Sequence, residues 1–249
     1  MNEKIRQILV PVATIGVIFV NYLAGTGRIN NVTPEVISDK YPTFITPAGY
    51  AFAIWSLIYL GMIAFSIYQL LPSQADNPRF RAIRTVYILN CVANCAWIYL
   101  WHYEQIIAAL GVIFLLLATL VYINLKLQNT ETAAEAWLSK IPFSIYFGWV
   151  TVASILNATI ALVYLGVTTT DFTAQVLGAS LIIIAVILGI LMRFKLNLTA
   201  YPVAVAWALT AIAVAHGGKT IIVVTSAIAV IILLVTALSA FLNAKNQTR

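Results

Sequence analysis

Eight apolar runs, each closed by charge or by Pro, Gly or Asn, constrain this chain more than any other feature; they cover residues 8–25, 48–71, 83–101, 105–125, 141–165, 174–192, 199–216 and 220–242. A run of roughly 17 to 25 apolar residues matches the hydrocarbon thickness of a bilayer. No water is at hand there to bond backbone N–H and C=O groups, so each run must close its own ladder as a helix. Only 9% of side chains are charged against 62% apolar, and mean hydropathy is +0.95, which rules out a soluble domain of 249 residues. The expectation is an all-α integral membrane protein with about eight transmembrane helices. The seventh run is the weakest, being short and followed at once by Gly217-Gly218.

Lysines and arginines orient the runs. With the N-terminus cytoplasmic, Lys4, Arg6, Arg79, Arg81, Arg84, Lys126, Lys140, Arg193, Lys195, Lys245 and Arg249 fall inside, and only Arg28, Lys40 and Lys219 fall outside. That asymmetry follows the positive-inside rule and predicts both termini cytoplasmic. With no barrel pattern, a bacterial inner (plasma) membrane is the expected home. The net charge of +6 is scattered among apolar blocks and builds no basic face, so nucleic acid is excluded as a partner and membrane lipid is the surrounding medium. Lys4 and Arg6 ahead of a run ending in Ala24-Gly25-Thr26-Gly27 also fit a cleaved secretory signal, an alternative to a retained first span.

All eight carboxylates, Glu3, Glu35, Asp39, Asp76, Glu104, Glu131, Glu135 and Asp171, fall in tails or loops by these boundaries. A charge at a helix centre costs about 2.5 to 3.5 kcal/mol on insertion scales, so a proton or cation relay would stand out. None does. A serine protease lacks its His base here, and a magnesium-dependent lipid transferase lacks its acid cluster, so no catalytic residue, metal or obligatory cofactor is expected. His102 and His216 sit at span ends; either could hold a haem iron, but a histidine wetted at the interface is the simpler reading. Glu131 and Glu135, one turn apart in the polar tract between the fourth and fifth runs, read as a solvated helix face. Cys91 and Cys95 share a helix face deep in lipid, where neither a disulfide nor a zinc site is expected.

What the runs do hold is amides, hydroxyls and rings. In the third, Asn90, Asn94, Trp97 and Trp101 follow at spacings of four, three and four and so lie along one stripe. Amides in lipid need partners, so the stripe faces other helices or a ligand; interhelical glue and a ligand pocket stay open. The second run brings Tyr50, Phe52, Trp55 and Tyr59, and the fifth brings Tyr146, Trp149, Thr151, Ser154 and Asn157. Trp55 and Trp149 lie too deep for an interfacial belt. Indoles from three helices, with amides among them, suit a flat, mostly apolar ligand with a few polar edges. The loop from Arg28 to Thr46, carrying Pro34 and Pro42, is long enough to serve as a lid.

Two of these stretches resemble a known family. Pro47-Ala48-Gly49-Tyr50-Ala51-Phe52-Ala53-Ile54-Trp55-Ser56-Leu57-Ile58-Tyr59 is similar to the Pro-Pro-x-Trp-x-Phe stretch and the Trp-x-x-x-Tyr of the tryptophan-rich sensory proteins, also called the translocator or peripheral benzodiazepine receptor family. Trp149-Val150-Thr151-Val152-Ala153-Ser154-Ile155-Leu156-Asn157 is similar to its Trp-Val-Ser-Phe-Ala-Thr-Val-Leu-Asn stretch, and Leu89-Asn90 with Asn94 matches its amides. The resemblance implies a five-helix ligand-binding bundle at residues 1–165. Its pocket, beneath the loop after the first helix, would take tetrapyrroles such as protoporphyrin and haem, and in some members sterols or benzodiazepine-type drugs. It implies that Trp55, Asn90, Asn94 and Trp149 line that pocket, with Tyr50 where a tryptophan is usual; members commonly pair, which leaves a homodimer open for this chain. The chain departs from the pattern at Pro47-Ala48, at Tyr41 and Phe44 in place of loop tryptophans, and at Ala93; the long interval from Pro142 to Trp149 makes Tyr146 a rival for the indole site. Residues 166–249 have no counterpart in five-helix members and are expected as a three-helix extension. It could be a buttress, a dimerisation surface or part of a transport path, with Trp207, Thr210 and His216 its conspicuous points.

The expectation is therefore a membrane sensor or binding protein for a flat hydrophobic ligand, a tetrapyrrole (porphyrin or haem) or a sterol-like molecule. Tyr50, Phe52, Trp55, Tyr59, Asn90, Asn94, Trp97, Tyr146, Trp149 and Ser154 are the expected lining. A small-molecule transporter and a light-dependent porphyrin-degrading enzyme, the latter proposed for some relatives, are the alternatives.

Overall fold

A computed structural model describes the backbone of residues 2–247 and the side chains of residues 2–239; Lys245 and Arg249, counted above as cytoplasmic, lie outside the described side chains. The described residues form nine α-helices and no strand. These are α1 (Glu3–Gly25), α2 (Pro34–Lys40), α3 (Ile54–Tyr68, led by a 3-10 turn Gly49–Ala53), α4 (Pro78–His102), α5 (Ile106–Leu127), α6 (Ala133–Tyr164), α7 (Asp171–Leu196), α8 (Ala200–Ala215) and α9 (Thr220–Gln247). Seven are long and apolar enough to cross a membrane, and α8 is apolar but shorter, at 16 residues. The chain is a multi-pass, all-α integral membrane protein.

Helix ends depart from the apolar runs where polar side chains extend a helix. α4 begins at Pro78 rather than 83, because Pro78 occupies the first turn, where its missing N–H is no loss, and Asn77 Oδ1 accepts the Arg79 N–H at 3.0 Å. α6 begins at Ala133 rather than 141: Thr132 Oγ1 accepts the Glu135 N–H at 3.1 Å, and a π-helical turn at Ala136–Lys140 leads into Pro142, whose ring cannot continue a regular ladder.

The helices gather into two compact units. One holds the chain up to Tyr41 together with Ile54–Phe143, and the other holds Pro42–Ala53 together with the chain from Ser144 onward. This grouping passes within the first long loop and within α6.

In the first unit α1 packs on α3 and α4, and α4 packs on α5. Phe65 meets Phe80, Tyr87 and Phe143 edge-on, with centroids 5.5, 5.3 and 4.9 Å away. The Thr14 hydroxyl is hydrogen-bonded to Ser66 at 2.6 Å and to Tyr87 at 2.5 Å. Pro11 lacks the N–H that would have bonded the Gln7 carbonyl, and Gln69 Nε2 takes its place at 2.9 Å, while Gln7 Nε2 donates to the Gln69 carbonyl at 2.8 Å. Arg84 is fully buried: Nε donates to Gln69 Oε1 at 3.1 Å, Nη1 to Glu3 Oε2 and the Ala75 carbonyl at 3.1 Å each, and Nη2 to the Gln74 carbonyl at 3.2 Å. Two expectations are corrected here. Glu3, Glu35, Asp39, Glu135 and Asp171 belong to helices, not to tails and loops, and of the Glu131/Glu135 pair only Glu131 is solvated. Glu135 is buried, held by Arg79 Nε at 2.5 Å, and Arg79 Nη1 reaches Glu131 at 2.8 Å; a buried carboxylate persists only with such a partner.

In the second unit α7, α8 and α9 pack on one another. Residues 144–164 of α6 lie so close to α8 that a Cβ on Gly148 would sit 2.6 Å from the Tyr201 carbonyl oxygen. Tyr201 Oη donates to Thr151 Oγ1 at 2.8 Å, and its ring meets Phe147 at 4.8 Å. Residues 42–53 are stapled along α8 and just past its end. The Ala48 N–H donates to the Ala211 carbonyl at 3.1 Å, Trp207 Nε1 to the Ala51 carbonyl at 3.0 Å, and His216 Nε2 to the Thr46 carbonyl at 3.1 Å. Two of the three conspicuous residues of the C-terminal segment thus hold a loop; the third, Thr210, bonds its own helix at the Ala206 carbonyl, 2.8 Å away.

Candidate ligand-binding site

Five of the expected lining residues lie in the first unit. α3 sets Trp55 and Tyr59 one turn apart, and α4 does the same for Trp97 and Trp101. Their rings form one continuous stack: Tyr59 on Trp55 at 5.6 Å and 18°, Trp55 on Trp97 at 6.3 Å and 30°, Trp97 on Trp101 at 5.8 Å and 25°. Aromatic pairs settle either edge-on or offset-parallel, and the nearby Phe65 cluster takes the first form while this stack takes the second. Trp97 and Trp101 are buried; Trp55 and Tyr59 are half-buried. Trp101 Nε1 donates to the Pro34 carbonyl at 3.1 Å, tying that end of the stack to α2.

The amides of the stripe divide between two neighbours. Asn94 Oδ1 accepts from Asn21 Nδ2 at 2.7 Å, and Asn21 also donates to the Val17 carbonyl in α1 at 2.8 Å. Asn90 Nδ2 donates to Thr119 Oγ1 in α5 at 2.8 Å, while its buried Oδ1 has no hydrogen-bond partner among the described residues. Both amides therefore join helices, and Asn90 keeps one acceptor in hand. Asn21 and Thr119 were passed over in the sequence; each looks there like a lone polar residue in an apolar run.

The other five lie in the second unit. Phe52 meets Trp149 edge-on at 6.0 Å and 79°, and Tyr50 meets Trp207 edge-on at 5.5 Å and 82°. Tyr146 is buried, and Ser154 donates to the Val150 carbonyl of its own helix at 2.7 Å. The same unit contains a cavity of about 560 Å³ that none of the ten expected residues lines; Pro42–Ile45, the end of α6, the start of α7 and His216 form its walls. His216 is half-buried, and burial holds its imidazole below the ordinary histidine range. His102 corrects the expectation of a wetted helix end: it is fully buried, with Nδ1 2.7 Å from the Ile98 carbonyl oxygen. Among the described residues no cluster of three or more His, Cys, Asp or Glu could hold a metal ion, and Cys91 and Cys95 are free thiols.

A family model described as TSPO-like protein matches residues 7–239. The match takes in α7, α8 and the described part of α9, so the segment after residue 165 falls inside it as well. No curated protein and no solved structure matches the chain significantly.

Proposed function

Because this chain belongs to the TSPO-like protein family, which makes it a membrane protein of the ligand-binding or transport kind, we propose that it is a receptor for a flat, mostly apolar molecule. A tetrapyrrole such as protoporphyrin or haem is the first candidate and a sterol-like molecule the second. The observation that carries this reading is the near-parallel stack of Tyr59, Trp55, Trp97 and Trp101. A planar macrocycle gains most from ring faces already aligned, because nothing need reorder on binding. Trp55 and Tyr59 are the half-buried members of the stack, with Tyr59 at its end, and Asn90 Oδ1 supplies an acceptor for a donor on the ligand's edge.

The lysine and arginine asymmetry supports cytoplasmic termini, and the helical spans support a bacterial inner membrane rather than an outer one. That topology needs α8 to cross as well. Its 16 residues reach about 24 Å at 1.5 Å per residue, against a hydrocarbon core of roughly 30 Å. Most of α8 is buried, from Tyr201 to Ile212, so protein rather than lipid sets the length it must match.

The test is a titration of purified protein in detergent with protoporphyrin IX, followed by tryptophan fluorescence. Saturable binding is expected, weakened by about 1 to 3 kcal/mol in Trp55→Ala, the scale of a buried aromatic contact. No saturation, or an unchanged Kd in the variant, would contradict the reading.

A further inference from the structure

The cavity of the second unit shares no residue with the ring stack and has its own chemistry. Phe44, Ile45, Leu162, Val163, Leu177 and Leu181 give it apolar walls. Its volume of about 560 Å³ lies in the range of small-molecule sites, roughly 300 to 1,000 Å³. It sits where α6 ends, α7 begins and α8 has just ended, so a bound molecule would have its apolar part among helices and its polar part at the membrane surface. Phe44 is held in place as a wall: its ring lies 5.7 Å from that of His216 and 5.3 Å from Lys219 Nζ, and the backbone two residues on is bonded to His216.

The threonine hydroxyls of the lining, Thr43, Thr159, Thr168 and Thr169, can donate or accept, whereas its two other polar side chains, His216 and Asp171, have a definite sign. A carbonyl oxygen only accepts, so the 3.1 Å contact with the Thr46 carbonyl requires a proton on His216 Nε2. In the neutral ring Nδ1 is then an acceptor, and burial favours that neutral ring. Asp171, the charged lining group, is a carboxylate and accepts as well; Lys219 Nζ, at 2.8 Å from Oδ1, balances its charge and Gln175 Nε2 donates to Oδ2 at 2.6 Å, neither joining the lining. At His216 and Asp171 a carboxylate or phosphate headgroup would face acceptors, whereas a hydroxyl or amine would find partners.

We propose that this cavity binds a long-chain amphiphile drawn from the bilayer, with a hydrogen-bond-donating headgroup, hydroxyl or amine, placed at His216 and Asp171.

The experiment uses the full chain in phosphatidylcholine nanodiscs with three photoreactive probes: octadecanol, octadecylamine and octadecanoic acid, each carrying a diazirine on the chain. Cross-links are mapped by peptide mass spectrometry. The alcohol and the amine should label residues 42–45 and 159–181 about fivefold more than the acid, the factor expected from one net hydrogen bond. His216→Gln keeps a donor for the Thr46 carbonyl at the position of Nε2 and removes the Nδ1 acceptor, and should cut alcohol labelling there by a similar factor. Ala174→Phe fills the cavity from α7 and should abolish labelling there while leaving other lipid-facing positions labelled. Equal labelling by all three probes, or labelling unaffected by either variant, would overturn the proposal.

Discussion

Gln69 joins three groups that lipid would otherwise leave unbonded. Its Nε2 satisfies the Gln7 carbonyl freed by Pro11, its Oε1 accepts from buried Arg84, and its own carbonyl accepts from Gln7. An unpaired buried polar group costs about 1 to 3 kcal/mol, so Gln69→Leu, which strands two such groups, should lower the thermal unfolding midpoint in detergent well beyond an ordinary surface change. A midpoint unchanged from the parent would show that water reaches these groups. Glu104 gives a pH-dependent counterpart. Hydrogen bonds from Lys40 Nζ at 2.6 Å and Tyr41 Oη at 2.8 Å hold its carboxyl below the usual carboxylate range. With the folded pKa below the unfolded one, this contribution is complete above the unfolded value near 4.5 and is lost as pH falls through the folded value. Unfolding midpoints measured from neutral to acid pH should therefore fall less steeply in Glu104→Gln; identical slopes would remove Glu104 as a source. None of these pairings was legible in the sequence, where Gln69 and Pro11 are ordinary members of separate apolar runs. The stripe of Asn90, Asn94, Trp97 and Trp101 was legible, because helical spacing alone aligns it.

At the scale of elements, α8 holds the loop that follows the first helix. Trp207→Phe would keep a ring against Tyr50 and lose only the indole donor to the Ala51 carbonyl. One net hydrogen bond is worth about 1 kcal/mol, so amide exchange around residues 46–53 should quicken roughly fivefold. Unaltered protection would mean that the other two staples suffice. Every apolar run was legible as a helix, since hydrocarbon leaves a span no other way to satisfy its backbone. The early starts of α4 and α6 were not, because caps, a π-helical turn and the Arg79 pairs with Glu131 and Glu135 extend those helices through charged sequence. The role of α8 was hidden for a different reason. One Trp in an Ala- and Val-rich run looks the same whether it faces lipid, a second copy or a loop.

For the whole molecule, the membrane-spanning class followed from hydropathy and the family from two short stretches in the second and fifth runs. The match over residues 7–239 then reaches well past the five-helix extent those stretches suggested. The grouping of Pro42–Ala53 with the C-terminal helices could not be read from the chain, because it rests on bonds between residues more than 150 positions apart, such as Trp207 to Ala51. The ring stack also spans separate helices, and its near-parallel planes, unlike its composition, exist only in three dimensions. Those planes are the basis for a flat ligand, and the most direct test compares shape at similar chemistry. Protoporphyrin IX and bilirubin, a bent, ring-opened tetrapyrrole with similar substituents, would be titrated side by side by tryptophan quenching. The planar molecule should bind at least about tenfold tighter, near 1.4 kcal/mol, with that advantage lost in Trp55→Ala. Equal dissociation constants for the two, in a folded protein, would contradict recognition by a flat aromatic stack.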